Sequence, residues 1–161
     1  MPMPTFAKIA FQLALSLWLG ALVAVSFLVA PAVFRSVPSE TAGTVMGQVF
    51  PFYYAFTTVV GAVALVVAIW MRRRSAGAPL WRAVVPMLVV MLAATAYAGA
   101  VVSPRARVLR PALHRAPGDP AIRDEFDRLH RRAVQLNGLV LLLGFATVIG
   151  TAIAVRWPGE R

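Results

Sequence analysis

Four stretches of this chain stay apolar for about 20 residues, the length a helix needs to cross the hydrocarbon core of a bilayer. They span 6 to 30, 52 to 71, 83 to 103 and 133 to 155. That core holds no water to satisfy backbone N–H and C=O groups, so a spanning segment is either helical or part of a closed barrel. Long apolar runs without alternation predict helices. The four runs take up more than half of the 161 residues, which leaves no separate soluble domain. The expected fold is all-α, an integral membrane four-helix bundle forming a single domain over 1–161. The first run is too long for the h-region of a signal peptide, only Lys8 precedes it as a flanking charge, and Pro31 interrupts the small-residue pattern of Ala30 and Ala32. It reads as a retained helix.

Three connections follow from these boundaries. The first runs from Pro31 to Pro51 and the second from Arg72 to Arg82. The third begins "SPRARVLRPALHRAPGDP", and its prolines at 104, 111, 117 and 120 predict that no continuous helix forms there. Asp119 before Pro120 is a helix start, an N-cap acceptor followed by proline at N1. Ile122, Phe126, Leu129 and Ala133 recur at helical spacing, with Asp124 and Arg128, and Asp127 and Arg131, as i,i+4 pairs. The last helix is therefore expected to begin outside the bilayer and extend over 120–132, about 20 Å at about 1.5 Å per residue.

The net charge of +10 comes from 15 arginines and one lysine beside and between the apolar runs. Arginines placed so meet lipid headgroups, and anionic lipids rather than nucleic acid are the expected partners. Seven of these cations share a side with the N-terminus, and nine arginines lie on the other. The concentration of Arg72, Arg73 and Arg74 in a short turn places that turn and both termini in the cytoplasm, and the protein in a bacterial inner membrane. Two helix ends echo each other, "VAPAVFR" and "VSPRARV".

Polar and small residues form stripes. His130, Asn137, Gly144 and Thr151 fall every seven residues on the last helix, drifting about 20° per step. Ala146, Gly150 and Ala154 form a second stripe, a candidate face for a homo-oligomer. Gln12, Ser16, Gly20 and Ala24, then Thr57 and Gly61, then Thr95, Gly99 and Ser103 are the counterparts on the other helices, expected to pack with interhelical hydrogen bonds. Pro86 is placed to kink the third helix, and Trp70, Trp81 and Trp157 read as interfacial anchors. In any topology the exits of helices one and three and the entrances of two and four share one membrane face. That face gathers the candidate polar site: Arg35, Tyr53, Tyr54, Arg105, His130 and Asn137.

Taken together, "LWLGALVAVSFLVAPAVFR", "AGTVMGQVFPFYYAF", "SPRARVLR" and "FDRLHRRAVQLNG" resemble the transmembrane-protein-205-like domain family. Trp18 and Gly20, Ala30, Pro31 and Phe34, Phe50, Pro51 and Tyr53, and Phe126, Leu129 and His130 with Asn137 carry the resemblance, and Ala133 departs from it where a small hydroxyl residue is expected. It implies a small four-helix membrane protein of undefined activity. The association of animal members with resistance to platinum drugs implies export or trafficking.

Three classes of function remain. A pocket at the polar face would bind or transport a small solute or ion. A redox protein would use His130 as a haem ligand, or His114 and His130 for copper, but two histidines without cysteine leave a transition-metal set short of ligands. An interaction protein would use its basic loops on lipids or partners. For His130 and Asn137 taken alone, hydrogen bonds that fix the bundle are the preferred role. No catalytic constellation is present, and all six carboxylates lie outside the apolar runs, so an enzyme is not expected and no cofactor is assigned.

Overall fold

A computed structural model describes residues 5–74, 79–116 and 118–153. They form four long helices and, among the described residues, no strand. Helix α1 is Thr5–Ser36 and α2 is Ser39–Arg74. Helix α3 comprises Pro79–Tyr97, a π-helical Ala98–Val102 and Ser103–Arg115, and α4 is Pro120–Ile153. Each is long and apolar enough to cross a membrane. Only 22–39% of each apolar window is buried inside the bundle, so the remainder is surface of the kind that faces lipid. Consecutive helices pack side by side, and α1 and α4 close the ring through a smaller contact.

The prolines do not end the helices where the sequence suggested. Expected to be a long loop from Pro31, the first connection is Val37 and Pro38 alone. The chain also stays helical through Pro104 and Pro111 to Arg115. The physical reason lies in the residues just before. Ala24–Val29 is π-helical, and the Ala30 N–H bonds the Val25 carbonyl, five residues back. Pro31 follows in the first turn of the next α-segment, where a missing N–H costs little. Helix α3 repeats the device: the Ser103 N–H bonds the Ala98 carbonyl, and Pro104 comes next. The echo between "VAPAVFR" and "VSPRARV" is thus an echo of backbone conformation. Proline also interrupts α2 at Pro51 and α3 at Pro86 and Pro111 without ending either helix.

The core is built from large side chains of α1 opposite glycines. Trp18 is 1% exposed, and a methyl group at Gly61 of α2 would lie 2.8 Å from its ring. Leu19 fills the space at Gly144 of α4 in the same way. Phe11 meets Trp81 edge to face, with centroids 5.4 Å apart at 83°. Trp81 is therefore a packed core residue and not the interfacial anchor it was expected to be; Trp70 is exposed and carries the Arg74 guanidinium 4.7 Å above its ring. Trp157 and Ala154 lie outside the described residues.

Gln12, Ser16 and Gly20 point outward, because the opposite side of α1 carries the bulky Phe11, Leu15, Trp18 and Leu22 that fill the bundle. Thr57 and Thr151 are buried but bond their own helix, Thr57 to the Tyr53 carbonyl at 2.8 Å and Thr151 to the Thr147 carbonyl at 2.9 Å. A helical threonine reaches the carbonyl four residues back without help from a neighbour, so these hydroxyls are satisfied locally.

The start of α4 follows its sequence signal. Asp119 accepts a hydrogen bond from the Ala121 N–H at 2.9 Å, and its carbonyl accepts one from the Arg123 N–H. Leu129 is buried, Ile122, Phe126 and Ala133 are half-buried, and Asp124, Asp127, Arg128 and Arg131 are exposed. This apolar side lies where α4 packs on Ser103–Arg115.

Gly61→Ala should destabilise the protein by about 1–3 kcal/mol by forcing the rigid Trp18 ring to move. Gly20→Ala, with nothing within 4 Å of the added atom, should leave the thermal unfolding temperature in detergent unchanged or raised.

Candidate functional site

A cavity of about 640 Å³ lies among the second half of α1, the first half of α2, the end of α3 and the first two-thirds of α4. Its size falls within the roughly 300–1,000 Å³ of small-molecule sites. Both π segments border it. Val25, Ser26 and Phe27 come from the first, Val102 from the second, and Ser103 follows directly. A π turn holds one residue more than an α turn, which turns the following side chains to a new face. Prolines contribute again: Pro51 and Pro111 cannot donate to the carbonyls of Gly47 and Arg107, and both of these residues line the cavity.

Three of the six candidate polar residues line this space: Tyr54, His130 and Asn137. Tyr54 is buried, and its side chain comes close to that of Asn137 across the cavity, from α2 towards α4. Its ring packs against α3, where a methyl group at Gly99 would lie 2.7 Å from the Tyr54 Cβ. His130 is exposed at the edge. Tyr53 is buried beside Tyr54, with ring centroids 4.8 Å apart, but does not line the cavity. Arg35 and Arg105 are exposed and stand outside it. The His114 side chain lies outside the described residues. Among the described residues no three His, Cys, Asp or Glu side chains gather to hold a metal ion.

The charged lining residues are Arg107 and Arg110, neither of them among the six candidates. Arg110 packs across α2, where a methyl group at Gly43 would lie 2.7 Å from its Nη1 and 3.0 Å from its Cζ. Its Cζ also lies 5.8 Å from the centroid of the Phe126 ring. The Nη1 atom is buried and has no hydrogen-bond partner among the described residues. Gly43 and Gly47, four residues apart in "AGTVMGQ", were the sequence signal for this approach, because small residues at that spacing open one face of a helix. Most of the remaining wall is apolar, including Leu22, Phe50, Leu129 and Leu141.

A family model described as a domain of unknown function (DUF4149) matches residues 13–114. No curated protein and no solved structure matches the chain. The matched stretch takes in the α1, α2 and α3 walls of the cavity and leaves out α4.

The approach of Tyr54 to Asn137 should appear as coupling in a double-mutant cycle. Tyr54→Phe and Asn137→Ala, alone and combined, should give a coupling of about 0.5–1.5 kcal/mol in unfolding free energy. Additive effects would show that the two side chains act independently.

Proposed function

The chain belongs to the DUF4149 family, whose description names no activity, and from its geometry we propose that this multi-pass membrane protein binds a small, largely apolar solute in the cavity at one face of the bundle. The observation that carries this reading is the cavity itself, about 640 Å³ with a mostly apolar wall and a few convergent polar groups. Apolar walls supply affinity, and sparse polar groups supply orientation. The resemblance to the transmembrane-protein-205-like family is in keeping with this reading only in that it implies export or trafficking; it names no substrate. Binding is a sufficient account of the residues present: an intramembrane pump ordinarily places an acid within its spans, and the carboxylates of this sequence lie outside the apolar runs.

Gly138 offers a direct test, since it lines the cavity and a Cβ added there meets nothing within 4 Å, so that a larger side chain can extend into the cavity. Purified wild-type protein in mild detergent should bind the apolar dye Nile red, and Gly138→Trp should weaken that binding at least tenfold with little change in thermal unfolding. Equal affinity in the two proteins would remove the cavity as the binding site.

The proposed orientation puts both termini and the 72–82 turn in the cytoplasm of a bacterial inner membrane, with the cavity towards the opposite face. The support is the run Arg72, Arg73 and Arg74 at the exposed end of α2. The chain has no cysteine, so single cysteines report cleanly. Ser39→Cys should react with a membrane-impermeant maleimide in intact spheroplasts, and Arg73→Cys only after permeabilisation. The reverse pattern would invert the topology.

A further inference from the structure

We propose that the solute is a single-chain amphiphile with an anionic head, a carboxylate or a phosphate, which enters from the bilayer between α1 and α4 and is held at its head by Arg110. This assignment rests on the cavity-binding reading above and adds the chemical class and the route.

The head group follows from Arg110. A guanidinium carries five N–H donors and a charge that is not titrated away; Arg110 is half-buried, and its Nη1 is buried with no hydrogen-bond partner among the described residues, which is costly. Gly43 admits the group against the α2 backbone, and the Phe126 ring faces it from α4. These neighbours fix its position without neutralising it. Arg107, three residues earlier on the same helix, also lines the cavity, His130 stands at the edge, and among the described residues no carboxylate appears in the lining. A planar guanidinium matches a carboxylate or phosphate through two parallel hydrogen bonds. The polar end of the cavity is therefore suited to an anion.

The tail follows from the rest of the wall, where Leu22, Val25, Phe50 and Leu141 offer no hydrogen-bonding side chains. A free inorganic anion would leave that surface uncovered, and a neutral apolar molecule would leave the buried Nη1 of Arg110 unpaired. One molecule carrying both parts satisfies both.

The route follows from the first π segment. No Cα atom of Ala24–Val29 lies within 8 Å of one in α2 or α4, and none of its residues is buried. Phe27 of α1 and Val134 of α4 both line the cavity, yet they are 61% and 56% exposed. The cavity therefore meets the surface between these helices along an apolar rim. Such a side opening suits a molecule already dissolved in lipid.

The test uses full-length protein in mild detergent and the fluorescent fatty acid cis-parinaric acid, with its methyl ester as the uncharged counterpart. Wild-type protein should bind the acid at least tenfold more tightly than the ester. Arg110→Gln should remove that preference by weakening the acid alone, and Arg110→Lys should restore part of it. Oleoyl lysophosphatidate should displace the acid, whereas millimolar inorganic phosphate should not. Val134→Trp, which narrows the rim, should slow association of the acid several-fold and change its affinity less. Equal affinity of wild-type protein for acid and ester, or an unchanged preference in Arg110→Gln, would overturn the anionic assignment while leaving cavity binding intact. Displacement by phosphate alone would show a simple anion site and overturn the amphiphile. Failure of both probes and of Nile red to bind would defeat the cavity reading itself. An unchanged association rate in Val134→Trp would overturn the route.

Discussion

In a bilayer an unpaired backbone N–H or C=O costs several kcal/mol, and the fold is organised by that cost. Each helix therefore continues as far as its sequence permits, and the described chain has one connection of only Val37 and Pro38. Proline, which ends helices in water, is absorbed here. A π turn ahead of Pro31 and another ahead of Pro104 shift the hydrogen-bond ladder by one residue, so the missing N–H falls at a transition. The same two turns border the cavity, because a helix whose ladder has shifted presents different side chains beyond the shift.

Where apolar residues face apolar lipid, burial alone does not hold helices together, and close packing has to do so. The structure meets this with large side chains set against glycines on neighbouring helices: Trp18 on Gly61, Leu19 on Gly144, Tyr54 on Gly99 and Arg110 on Gly43. The first two lock the core. The other two place polar groups at the cavity, so one packing device serves both stability and the site.

How much of this was legible in the sequence depends on the range of each interaction. The four helices and the Asp119 cap were readable, since apolar length and a local hydrogen bond are written in neighbouring residues. The fate of the prolines was not, because a π turn gives no sequence mark as clear as proline itself. Asn137 and Tyr54 were picked out as members of a polar face, and their closeness to each other emerged only once the four helices closed around the cavity. Arg110 read as one more headgroup arginine. Its different role depends on Gly43, distant in sequence and adjacent in space. Gln12 and Ser16 were misassigned to the interior because their helix satisfies the bundle with its other side.

The π segment of α1 divides that helix into two parts with separate angular phase. Each residue advances an α-helix by about 100°, so the one extra residue in a π turn offsets everything beyond it by about that angle. The core half, with Phe11, Leu15 and Trp18, and the cavity half, with Val25, Ser26 and Phe27, are thus keyed to their neighbours independently. Losing one residue from Ala24–Val29 would swing the cavity face away while leaving the core half in place. Related proteins could therefore change what the cavity presents through a single insertion or deletion, a kind of variation that an uninterrupted α-helix would transmit through its whole length.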